Sequence, residues 1–156
     1  MLPPLTAEGG LPAGVHPAPL DEILAVFGSL NAVRRDIARR LQEILRIAQE
    51  TGQLRRVFIW GSFVTAKPEP GDIDLMLVMS DAVRSEACPP SVRQIFDGEA
   101  AERVLGATIL WVREDVPVML LNAFLDQWQI DRNGRRRGSV EVSGSGQRLA
   151  GGMAAT

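Results

Sequence analysis

The run Ile73-Asp74-Leu75-Met76-Leu77-Val78-Met79 limits the fold more than any other stretch of the chain. Successive strand residues point to opposite faces, so apolar residues at nearly every position predict a strand covered on both sides and central in its sheet. Asp74 is the exception. A carboxylate inside such a run needs a partner, and the neighbouring sequence supplies no obvious basic one.

Other elements fall in place around that strand. Val57 to Trp60 reads as a short strand between Arg55-Arg56 and Gly61, and Ala107 to Val112 as a third. Residues 31–50 predict the longest helix, with Val33, Ile37, Leu41, Ile44, Leu45 and Ala48 on one face. Asn31 suits its N-cap, and Gly52 follows its end. Arg34, Arg35, Arg39, Arg40 and Arg46 face Asp36, Glu43 and Glu50 on its polar side. That side is either solvated and internally paired or a phosphate-binding face. Further helices are expected at Asp21–Phe27, stopped by Gly28, at Phe96–Leu105, stopped by Gly106, and at Pro117–Asp126, with Asp115 nearby as a cap. Gln127–Asp131 and Ser139–Ser143 read as a hairpin around Asn133-Gly134.

With 156 residues, 46% hydrophobic and 23% charged, the chain is sized for one domain with a real core. Pro3, Pro4, Pro12, Pro17 and Pro19 make residues 1–19 an extended or irregular arm, with Leu2, Leu5, Leu11 and Val15 as anchors. The domain proper is expected over 20–143, and the glycine-rich segment 144–156 as a disordered tail. A net charge of −2 gives no basic coat for nucleic acid, though local basic patches remain open. Cys88 is the single cysteine and His16 the single histidine, which excludes a disulfide framework, a Cys-rich zinc site and any two-histidine mechanism. No apolar run reaches the ~20 residues that span a bilayer, and Met1 to Pro19 lacks the layout of a signal peptide. A cytoplasmic protein without membrane contact is expected.

The chemistry gathers between Trp60 and Asp74. A strand ends at Gly61-Ser62, nine residues follow, and Asp72-Ile73-Asp74 opens the buried strand. Two carboxylates two apart on a strand share a face and repel unless a cation joins them. Hard oxygen ligands so spaced suit Mg²⁺ or Mn²⁺ completed by substrate phosphates. Gly61 permits close backbone approach, and a short helix from Ser62 to Thr65 would turn amides toward an anion. Lys67 either neutralises a triphosphate or solvates the Pro68-Pro70 turn. Arg132, Arg135, Arg136 and Arg137 crowd one loop, which either reaches phosphate oxygens or is an exposed basic tip. Trp60 and Trp111 read as core, with base stacking the other use of their rings.

At these residues the sequence resembles the DNA polymerase β-like nucleotidyltransferase superfamily, in its minimal nucleotidyltransferase branch. Trp60-Gly61-Ser62, the nine-residue gap and Asp72-Ile73-Asp74-Leu75 carry the resemblance. A weaker likeness to small uncharacterised bacterial proteins of that branch runs over residues 12–142, through Gly14-Val15-His16-Pro17, Asp131-Arg132-Asn133-Gly134 and Arg137-Gly138. The resemblance implies an α/β (α+β) fold with a small mixed sheet flanked by helices. It implies transfer of a nucleoside monophosphate, usually AMP, from a nucleoside triphosphate to a hydroxyl of a protein, RNA or small molecule. Gly61, Ser62, Lys67, Arg135 and Arg137 are then the nucleotide-binding candidates, and Asp72 and Asp74 the catalytic metal ligands. The superfamily's third carboxylate, on the next strand, is missing from Ala107–Val112. Glu114 is the candidate substitute, unless Arg113-Glu114-Asp115 forms a solvated turn. The resemblance also suggests an alternative, a catalytically weak nucleotide-binding module. It would work beside a protein partner or a second copy, as one half of a toxin–antitoxin or regulatory pair.

Overall fold

The computed structural model describes residues 1–144. Five strands form one mixed sheet in the order β1 (Val15–Ala18), β5 (Ser139–Val142), β2 (Leu54–Trp60), β3 (Ile73–Met79) and β4 (Ala107–Arg113). β3 is central, antiparallel to β2 and parallel to β4, and β5 runs parallel to β1 and antiparallel to β2. This is the mixed α+β arrangement expected from the sequence.

Both faces of β3 are covered because its alternate residues feed two cores. Ile73, Leu75, Leu77 and Met79 pack with Val57 and Ile59 of β2 against Ile37, Leu41, Ile44, Leu45 and Ala48 of helix α2 (Ala32–Glu50). Met76, Val78 and Phe58 pack on the other side against Leu121 and Leu125 of helix α5 (Val118–Trp128). Helix α1 (Leu20–Phe27) adds Ile23 and Phe27 to the larger core and ends at Gly28, as the sequence predicts. Asn31 caps α2 by accepting from the Arg34 amide at 2.9 Å.

Five expectations need correction. The N-terminal arm is no appendage: it supplies β1, buries Leu11 to 1% exposure, and bridges Gly10 to Thr65. Proline at position 17 is tolerated because β1 is an edge strand with one side unpaired. The hairpin around Asn133-Gly134 shrinks to its tip, where the Asp131 amide donates to Arg135 O at 2.9 Å and the Arg137 amide to Gln129 O at 2.6 Å. Ser139–Val142 pairs with β1 and β2, and Gln127-Trp128 close α5, leaving only an isolated bridge from Ile130 to Arg136. The helix expected over Phe96–Leu105 is broken into one-turn α3 (Pro90–Arg93) and α4 (Gly98–Ala100), a 3₁₀ turn at Gln94–Phe96 and a π turn at Ala101–Leu105. Asp97 forces that break, accepting from the Glu99 and Ala100 amides and so starting a new helix. Asp115 does not cap α5; its amide donates to Asp81 Oδ1 at 3.0 Å, and Pro117 takes the cap position. Arg34 belongs to the buried face of α2, while Val33 is exposed. Both lie one turn before Ile37, and the helix rotation selects the residue three positions back. The tail beyond Gly144 lies outside the described residues.

Candidate functional site

Asp74 sits opposite Trp60 on β2 and Thr108 on β4, so these three side chains form one row across the sheet. They share the face of Met76 and Val78, where α5 covers the sheet. The row lies at the start of β3, where β2 ends and Gly61 turns the chain away. Gly61 adopts φ +82°, a conformation that L side chains rarely take, and a Cβ there would collide with Asp74 Oδ2. The Asp74 carboxylate therefore lies directly over the Gly61 backbone.

A cleft of about 720 Å³ opens at this row. Gly61, Ser62, Thr65, Lys67, Asp72 and Asp74 form one wall, and the chain from Gln127 to Asn133 with Arg137 and Gly138 forms the other. Both Asp72 and Asp74 are half-buried. Burial, and then the neighbouring Asp72 charge, push the Asp74 carboxyl up to about 6, while the Thr108 hydroxyl and the Arg132 charge pull the other way. Thr108 Oγ1 stands 3.5 Å from Asp72 Oδ2. Neither aspartate makes an ion pair among the described residues, and Lys67 and Arg132 make none either. Two unpaired carboxylates and two unpaired cations in one cleft suit a ligand carrying both signs, such as a cation bound to a phosphate chain.

The opposite wall is built by local hydrogen bonds. Asp131 Oδ1 accepts from the Asn133 and Arg135 amides at 2.8 and 2.9 Å, and Oδ2 stands 3.0 Å from Arg137 Nε. The two backbone donors, with Arg137 and Arg135 nearby, hold the Asp131 carboxyl below the usual range. Trp128 stacks on Trp60 at 4.2 Å between ring centres and 7° between planes, and Phe124 stacks on Trp128 at 5.8 Å and 15°. The N-terminal arm ties the walls together: the Ala66 amide donates to Gly9 O at 2.8 Å, and the Gly138 amide to Leu11 O at 3.0 Å.

Gly61, Ser62, Lys67, Asp72, Asp74 and Arg137 thus converge, as the sequence leads one to expect. Arg135 does not line the cleft; its amide is spent on the Asp131 turn and its side chain faces solvent. Glu114 is also elsewhere. It follows β4 at the end away from Thr108, about 20 Å along the strand at ~3.3 Å per residue, and pairs with Arg55 at 3.2 Å. The β4 position facing Asp74 is Thr108. Among the described residues no group of three or more His, Cys, Asp or Glu could hold a metal ion. The Ser62 turn is shorter than expected, a single 3₁₀ turn over Ser62–Val64. Trp60, expected in the core, is half-buried and lines the cleft. Trp111 is half-buried too, edge-on to Phe96 at 4.8 Å and away from the site.

Sequence reasoning missed Thr108, Trp128 and the arm. Strand pairing alone reveals the first, and long-range packing the other two. Residues 3–143 match a family of unknown function, DUF6932. The chain belongs to DUF6932. The match starts within the arm and ends just past β5, so the DUF6932 region includes both cleft walls and the strands that carry them. No curated protein and no solved structure matches the chain. No described helix is long and apolar enough to cross a membrane.

Proposed function

We propose that this DUF6932 protein binds a magnesium nucleoside triphosphate in the cleft of a polymerase β-like nucleotidyltransferase fold, with nucleotidyl transfer, AMP foremost, as the matching reaction class. The observation that carries this is the Asp74 carboxylate over Gly61, beside Asp72, Ser62 and unpaired Lys67, with unpaired Arg132 on the opposite wall. The order helix α2, strand β2, Gly-Ser turn, strand β3, helical crossover and strand β4 supports the fold assignment.

The donor set fits Mg²⁺ or Mn²⁺. Two half-buried carboxylates without basic partners are what remains when phosphate and water complete the coordination. Asp72 and Asp74 are the residues that would hold the ion, which when bound neutralises phosphate charge and activates an attacking hydroxyl. Gly61 leaves room for the Asp74 carboxylate over its backbone, and Ser62 offers a hydroxyl donor. Lys67 and Arg132 face the charge that two carboxylates cannot balance.

Thr108 favours a second reading, binding without transfer. A threonine hydroxyl stands where a third carboxylate is expected, and it donates toward Asp72 rather than adding negative charge. On that reading the protein is a nucleotide-binding module that acts with a protein partner, in a regulatory or toxin–antitoxin pair.

Thermal-shift titration with ATP, GTP, CTP and UTP, with and without Mg²⁺, on wild type and Asp74→Asn tests the proposal. Ligand at ~100 times Kd stabilises by about 2.7 kcal/mol, a rise of about 5–10 °C in Tm. A Mg²⁺-dependent rise that Asp74→Asn removes is the expected result. No rise with any nucleotide refutes it.

A further inference from the structure

We propose that Arg34 is the positioning residue of the cleft, a buried guanidinium that fixes the wall Gly61–Pro68 from behind. The role rests on reading the cleft as a nucleotide site. Arg34 lies in the first turn of α2 and is 2% exposed. Its Nη1 donates to Phe27 O at 3.0 Å and to Phe63 O at 2.8 Å. Its Nη2 donates to Thr65 O at 2.6 Å and also to Lys67 O, which Nε reaches at 3.2 Å. No carboxylate pairs with it among the described residues. Burial alone holds its pKa below the ordinary arginine value.

Three of the four accepting carbonyls belong to residues 63, 65 and 67, every second position of the loop. A planar fork with five donors in fixed geometry holds such a set at once, which the single ammonium of lysine does not. Asn31 extends the clamp, its Nδ2 donating to Pro68 O at 2.8 Å. The loop between β2 and β3 has one short 3₁₀ turn and no regular structure of its own beyond it. Thr65 and Lys67, whose carbonyls Arg34 grips, both line the cleft. The charge is balanced by carbonyl dipoles rather than by an anion, so its field reaches through the loop and favours a negative ligand on the far side.

The test combines amide hydrogen exchange with calorimetric titration of Mg·ATP on wild type, Arg34→Lys, Asn31→Ser and Ile47→Ala. Ile47 lies near the far end of α2 and serves as the stability control. Asn31→Ser keeps an N-cap oxygen while deleting the Pro68 contact, so it loosens the loop mildly if Arg34→Lys folds poorly. Arg34→Lys is expected to speed exchange at Val64, Thr65 and Ala66 without changing β3, and to weaken Mg·ATP by about tenfold or more. Ile47→Ala is expected to lower Tm and leave loop exchange and Kd unchanged. Native loop exchange in Arg34→Lys overturns the clamp. A loosened loop with unchanged Kd overturns the positioning role and leaves the nucleotide reading standing. A wild-type protein with a protected loop that ignores Mg·ATP overturns both the reading and the role.

Discussion

Asp74 Oδ2 occupies the space that a Cβ on Gly61 would need. The backbone of one segment and the carboxylate of the other therefore share a single volume, and neither moves without the other. Gly61→Ala adds a methyl group to that volume and strains a backbone at φ +82°. It is expected to lower the unfolding free energy by about 2–3 kcal/mol and to abolish the Mg²⁺-dependent stabilisation by nucleotide. Urea denaturation and thermal shift measure the two effects.

The pH dependence of stability carries a signature of Asp74. Its carboxyl titrates near 6 in the folded protein, against an ordinary value of 3.8. A folded pKa above the unfolded one means that the native state holds the proton more tightly. Unfolding free energy therefore falls as pH rises between about 4 and 6 and stays lower above that window. Asp74→Asn removes this contribution. The metal-free variant is expected to be more stable than wild type at pH 7 by about 1–2 kcal/mol, a figure reduced for the partial solvation of the side chain. The difference between the two proteins should vanish below pH ~4. Urea titrations across the range decide it, and a variant less stable than wild type at pH 7 contradicts the assignment.

Thr108 and Glu114 make opposite predictions. Thr108→Asp places a third carboxylate in the row with Asp74 and is expected to tighten Mn²⁺ binding by about tenfold, read by calorimetry. Glu114→Gln breaks only an exposed pair with Arg55. It is expected to change stability by less than about 1 kcal/mol and to leave Mn²⁺ and nucleotide affinity untouched.

Leu11 tests whether the arm is part of the domain. Its side chain is buried at 1% exposure in the main core. Leu11→Ala is expected to cost about 2–4 kcal/mol. A loss under about 0.5 kcal/mol, the ordinary range for surface positions, would mean that the arm is dispensable.

The sequence was most informative where local chemistry and packing agree. The apolar run around Asp74 announces β3 and its two-sided cover, the periodicity of α2 announces its core face, and Gly61-Ser62 with Asp72 and Asp74 announces one cleft. Arg34 was misplaced because a charged residue at a core position looks like surface until its carbonyl partners are known. β1 and β5 were missed as partners because each is only four residues long and their pairing is non-local. From the arginines of the 132–137 loop the sequence singles out Arg135 and Arg137, of which only Arg137 lines the cleft. Backbone geometry separates Arg132 and Arg137, which reach the cleft, from Arg135 and Arg136, which do not.

The place of β5 in the sheet governs the order of assembly. Val15 pairs with Ser139, so the parallel contact between β1 and β5 closes across most of the polypeptide. During synthesis β2, β3 and β4 can pair as they emerge, yet one edge of β2 stays bare until residues 139–142 leave the ribosome. Contacts of such long sequence separation form slowly, and a bare apolar edge invites pairing with other chains meanwhile. A nascent chain stopped before Ser139 would carry both aspartates and the Gly61 turn while lacking the strand that joins the arm to the rest of the sheet.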